Sequence, residues 1–158
     1  QGNQFKQFMV PRPKVIAASW DESFFYLEKL HQETLSDDID LIIIPIPLKV
    51  EIDIDEQKRV LSTIDLSNTR IDMDQTLKFV SQFCARNQIA MIDPRPALRK
   101  RHELEPCYFV YDGHWNARGV SVAADYIAEE WREARLPPWN TITETRFYQK
   151  TSANALLN

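Results

Sequence analysis

The chain has 158 residues, 44% of them hydrophobic, and its 19 Lys and Arg against 23 Asp and Glu give a net charge of −4. That size suits one domain with a real core and is short for two, while the interleaved charges leave no basic face to engage nucleic acid or an anionic membrane surface. No apolar run approaches the ~20 residues of a membrane span and no basic-then-apolar stretch opens the sequence, so the chain reads as soluble, without membrane contact from this segment.

The expected organisation is a single α/β domain over residues 1–136 and a polar tail over 137–158. Residues 1–14, with Pro11 and Pro13, read as a lead-in rather than an element, and Gln1-Gly2-Asn3-Gln4 includes no initiator Met, which fits a processed or truncated product. Val15-Ile16-Ala17-Ala18 reads as a short strand. From Asp21 to about Leu35 the apolar positions Phe24, Leu27 and Leu30 recur at helical spacing, with Asp21 or Ser19 available as cap. Asp40-Leu41-Ile42-Ile43-Ile44-Pro45 is an unbroken apolar run, as a central strand of a parallel sheet requires. Pro45 and Pro47 then force an extended exit into a loop carrying Lys49, Glu51 and Asp53, within a long connection over 48–72 that holds one short helix around Asp55 to Leu61.

Asp74 to Asn87 predicts a helix with Leu77, Val80, Phe83 and Cys84 on one face, and Ile89 to Ile92 a strand stopped by Asp93-Pro94 and Pro96. Arg95 and Arg99-Lys100-Arg101-His102 form the one basic cluster, read as a solvated loop. Asn116 caps a final helix whose apolar positions are Val120, Ala123, Ala124, Ile127 and Trp131, with Gly119 allowing close packing in its first turn. Beyond it, Trp139, Phe147 and Tyr148 are placed to pin the tail. Alternating helix and strand favour a parallel sheet with right-handed crossovers. Cys84, on an apolar helical face, reads as a buried thiol, and Cys107 would pair with it only if compartment and distance allow.

Chemistry concentrates in Tyr111-Asp112-Gly113-His114-Trp115-Asn116-Ala117-Arg118-Gly119, which holds two of the chain's three glycines. A carboxylate two positions from an imidazole can accept the Nδ1 proton, fix the tautomer and stabilise the imidazolium, which makes His114 a general base and Asp112 its orienter. The plainer alternative is an Asx turn at Asp112, a surface His114 and a capping Asn116.

This run, followed by Val122-Ala123-Ala124-Asp125-Tyr126-Ile127, resembles the last block of the SGNH (GDSL-type) hydrolase superfamily, and the similarity extends as a pattern of elements from about Asp21 to Trp131. The resemblance implies a three-layer α/β/α sandwich with a mainly parallel, flavodoxin-like sheet and a Ser-His-Asp triad acting on esters, with relatives that transfer acetyl groups to polysaccharides. It implies His114 as base, Asp112 as its partner, no cofactor or metal, and an ester-bearing small molecule or O-acylated carbohydrate as ligand. It also points to a periplasmic or extracytoplasmic setting, because the single residue between Asp112 and His114, where the superfamily usually has two, is a spacing associated with bacterial cell-envelope members.

The sequence holds no Gly-Asp-Ser block, oxyanion Gly block or Gly-x-Asn-Asp block. Ser19 and Ser23 lack the glycines of a nucleophile turn and read as helix caps. The expectation is therefore the C-terminal part of an SGNH domain, completed by an N-terminal portion of the same protein and inactive alone. Two other classes compete. Tyr111-Asp112-Gly113-His114 after an apolar stretch also resembles the Asp-x-His of metallophosphoesterases, although no histidine follows His114. A non-catalytic or carbohydrate-binding relative would keep the turn for structure and use Trp115 and Trp139 for sugar stacking.

Overall fold

The structure, a computed structural model, describes residues 5–64 and 69–133. Among these, the chain forms two compact units, one from the stretch up to Ile43 plus Arg70–Met91, the other from the stretch beginning at Ile44 plus Ile92–Glu133. The predicted tail and its aromatics Trp139, Phe147 and Tyr148 lie outside the described residues.

Unit one begins inside the expected lead-in, where a single 3-10 turn over Lys6–Phe8 and strand β1 (Met9–Val10) replace irregular chain. β1 pairs antiparallel with β3 (Arg70–Ile71), and the buried Gln75 amide donates to the carbonyls of Gln7 and Met9 at 2.8 and 3.0 Å. Those backbone oxygens are thereby satisfied out of water. Helix α1 runs over Lys14–Ser36 and absorbs the predicted strand Val15–Ala18. Four apolar residues are too short a run to separate helix from strand by period, and the turn set by Pro13, whose carbonyl accepts from Ile16 and Ala17, starts the helix earlier. Ser19 and Ser23 are accordingly not caps. Both sit inside α1, donating their hydroxyls to Val15 and Ser19 carbonyls four residues back.

Trp20, Phe24 and Leu27 of α1 pack on a core of Val80, Phe83, Cys84 and Ile89. Phe24 stacks on Phe83 with ring centroids 4.7 Å apart, an offset aromatic contact that adds to plain area burial. α4 (Gln75–Asn87) matches its prediction to within one residue and ends on Gln88 in the left-handed conformation. β2 (Ile42–Ile43) and β4 (Ala90–Met91) pair in parallel, Ile42 opposite Ala90. This one pair is parallel, and among the described residues β2 is one edge of a two-stranded sheet rather than a central strand.

Unit two is helical. The expected loop around Lys49, Glu51 and Asp53 is instead α2 (Lys49–Ile52) running straight into α3 (Ile54–Leu61). Asp53 caps α3, its Oδ1 accepting from Asp55 and Glu56 N–H at 3.0 and 3.1 Å. The basic cluster is not a solvated loop but α5 (Arg95–His102), begun at Pro94 and closed by four basic side chains in its last turn, where they oppose the helix dipole. α6 covers Ala117–Glu133. Its inward face is Ala123 with Val122 and Ile127, packed with Ile52, Leu98, Cys107 and Tyr108. Val120 and Ala124, expected inward, are exposed, because the backbone of Gly119 itself seats against residue 107. Cys84 and Cys107 are both buried free thiols, so the conditional disulfide does not form.

Candidate active site

The segment from Cys107 to Asn116 folds back on itself. Tyr108 and Trp115 form an antiparallel bridge, Phe109 N–H donates to His114 O at 3.1 Å, and Asn116 N–H donates to Cys107 O at 3.0 Å. Asn116 then does triple duty. Its Oδ1 accepts from Gly119 N–H at 3.0 Å, capping α6, and its Nδ2 donates to the carbonyls of Pro106 and Tyr108. Helix start and hairpin closure thus depend on one side chain.

Gly119 explains itself by proximity: a Cβ there would lie 2.1 Å from the Cys107 carbonyl oxygen. Only a residue without a side chain lets α6 approach that backbone. Gly113, at the tip, has nothing within 4 Å of its would-be Cβ.

On this tip Asp112 Oδ1 accepts from His114 Nδ1 and, at 3.0 Å, from His114 N–H. The second bond is the Asx turn of the plainer alternative; the first is the carboxylate–imidazole pair, and one carboxylate makes both. The hydrogen bond from the imidazole, seconded by the backbone N–H, holds the Asp112 carboxyl below its usual range. With Nδ1 donating to Asp112, the ring's remaining nitrogen, Nε2, carries the lone pair a general base needs. The pair is open, with His114 86% and Asp112 55% exposed, so solvent screens it and it adds little to stability.

Beneath the tip lies polar structure that the sequence did not reveal. Tyr108 Oη donates to Pro47 O at 2.8 Å and accepts from Trp115 Nε1 at 2.9 Å. Burial pushes the Tyr108 hydroxyl's pKa upward, which keeps it a protonated donor. Trp115 is therefore a partly buried strut, not an exposed sugar platform. Glu51 and Arg95 form a buried pair at 3.7 Å, with side chains 7% and 6% exposed, and Arg95 Nε also reaches Asp93 at 3.1 Å. Burial raises the Glu51 pKa, which the Leu48 N–H, Arg95 and Arg99 only partly offset. His102 Nδ1 accepts from Cys107 N–H at 3.0 Å while its Nε2 lies 3.4 Å from Asp53 Oδ2, so the ring is held from both sides. Burial pushes the Asp53 pKa up, but the backbone N–H of Glu56 and the proximity of His102 bring it net downward. The basic run and the Pro-x-Pro at 94–96 were the sequence signals available for these partners.

Residues 12–156 match the family described as SGNH hydrolase-like domain, acetyltransferase AlgX. The chain belongs to that family. No curated protein and no solved structure matches the chain. Membership brings the SGNH superfamily and an α/β fold class to the AlgX-type chain. Among the described residues, no group of three or more His, Cys, Asp and Glu is disposed to hold a metal ion.

Proposed function

We propose that this AlgX-type chain supplies the base-and-orienter half of an SGNH acyl-transfer site, His114 as general base and Asp112 as its orienter, in a protein that moves acetyl or other acyl groups. The observation that carries the reading is the hydrogen bond from His114 Nδ1 to Asp112 Oδ1. It leaves Nε2 to take the proton of a serine hydroxyl as that oxygen attacks an ester carbonyl. The imidazolium then gives the proton to the departing alkoxide. Water or a sugar hydroxyl next attacks the acyl-serine, again losing its proton to His114, and as the acyl–serine bond breaks the imidazolium returns that proton to the serine oxygen. An ester-bearing small molecule or O-acylated carbohydrate is the ligand class this chemistry accepts.

Ser19 and Ser23 are not assigned as nucleophile, since each hydroxyl is held by a carbonyl of its own helix. The nucleophile and oxyanion donors are placed in a further portion of the protein, and the parallel pairing of β2 with β4 is read as part of a three-layer α/β/α sandwich with a mainly parallel sheet.

The test uses the complete polypeptide and p-nitrophenyl acetate. His114→Ala should lower kcat/KM by roughly three orders of magnitude or more, and Asp112→Asn by a similar or somewhat smaller factor. Undiminished turnover in His114→Ala removes the base assignment. Absence of any adduct with an organophosphonate favours a non-catalytic or carbohydrate-binding relative instead.

A further inference from the structure

Lys49 opens α2, directly after Pro47 and Leu48. Its Nζ donates to the carbonyls of Phe109 and Val110 at 3.3 and 3.2 Å, on the arm that climbs to Tyr111 and Asp112. The ground under Lys49 is firm: Val50 and Ile52 are buried, Glu51 Oε2 accepts from Leu48 N–H at 2.9 Å, and Arg99 Nε donates to Glu51 O at 3.0 Å. Two residues earlier, Pro47 O takes the Tyr108 hydroxyl. The same short stretch therefore grips the hairpin twice. An ammonium has three donors and no acceptor, so one Lys can hold two successive carbonyls and fix the orientation of the peptides between them.

We infer that Lys49 is a positioning residue for the Asp112–His114 pair, its ammonium clamping the Phe109 and Val110 carbonyls so that the hairpin tip presents the imidazole in one orientation. The inference rests on the proposed base role of His114.

In the complete protein, Lys49→Met keeps the apolar stem and removes the donors, whereas Lys49→Arg keeps donors at similar reach. With p-nitrophenyl acetate, Lys49→Met should lower kcat about 10-fold with KM within about twofold, as a small misplacement of a reacting group does, and Lys49→Arg should recover most of the loss. Amide exchange gives a readout independent of turnover: the His114 and Phe109 amides should exchange faster in Lys49→Met and at the native rate in Lys49→Arg, with α6 unchanged. Unaltered exchange at both amides overturns the inference, as does faster exchange with undiminished kcat or a loss that Lys49→Arg fails to recover. If His114→Ala keeps full turnover, the base assignment fails and takes the inference with it, and faster exchange in Lys49→Met then separates that case from failure of the clamp.

Discussion

Replacing Gly119 by Ala gives the sharpest test of how the hairpin is joined to α6. In an ordinary helical position this change stabilises by about 1 kcal/mol, since Ala is the better helix former. Here the new Cβ would sit 2.1 Å from Cys107 O, 3.1 Å from Cys107 C and 3.2 Å from Trp115 Cβ. Carbon–oxygen contacts are comfortable at about 3.3 Å, so backbone must yield by about 1.2 Å. No flexible side-chain end is available to absorb it, and the oxygen involved is the acceptor of Asn116 N–H. Overpacking of this kind costs about 1–3 kcal/mol and weakening that hydrogen bond about 1 kcal/mol, which leaves a net loss of about 2 kcal/mol after the helix gain. For a chain of this size that corresponds to a fall of about 4–8 °C in Tm. Urea unfolding of Gly119→Ala beside Gly113→Ala is the assay, because the second change meets open space at an ordinary φ and should stay within about 0.5 kcal/mol. A Gly119→Ala protein as stable as the parent would refute the close approach of α6 to residue 107.

Three further outcomes follow from the same geometry. Tyr108→Phe removes the donor to Pro47 O and the acceptor for Trp115 Nε1, and should cost about 1–3 kcal/mol in urea melts; a loss under about 0.5 kcal/mol would contradict the buried bridge. The Asp112 carboxyl is held below its ordinary value by its bonds to His114. A depressed acid favours the folded pair above its unfolded pKa and loses that contribution as pH falls through the folded one, so a carboxyl-carbon NMR titration should give a lower midpoint than the same carboxyl shows in His114→Ala, and equal midpoints would mean the pair is not formed. Burial pushes the Cys84 thiol up to about 11 and also raises that of Cys107, so both should resist a thiol reagent at pH 8 in the native state and react on unfolding; finding no free thiol after unfolding would show a disulfide instead.

Features encoded within a few residues were the legible ones. The 3.6-residue period found α4, α6 and the body of α1, and the β-branched Ile42-Ile43 pointed to parallel pairing. Asp112 and His114 are two positions apart on a turn, so their contact needs no information from elsewhere. What failed to show was set by distant partners. Pro94 and Pro96 looked like the end of a strand but also begin α5, and the charges after them look like surface until Glu51, some 40 residues earlier, supplies a buried counterion for Arg95. Val120 and Ala124 fit a helical stripe as well as Val122 and Ile127 do. The choice between the stripes was made by Gly119, whose missing side chain turns that edge of α6 toward Cys107.

The grip of Lys49 on Phe109 joins residues 60 apart in sequence, and between them the chain leaves one unit, completes Arg70–Met91 of the other and returns. On a ribosome adding about 5–20 residues per second, Lys49 therefore waits about 3–12 s for its partners to be made. The footing is thus made first and the hairpin last, after the chain has visited both units, and the hairpin can close through its own local bonds before it meets Lys49. A nascent chain stopped before Phe109 can already join Glu51 of α2 to Arg95 and Arg99, but its Lys49 still lacks the two carbonyls it holds in the finished fold.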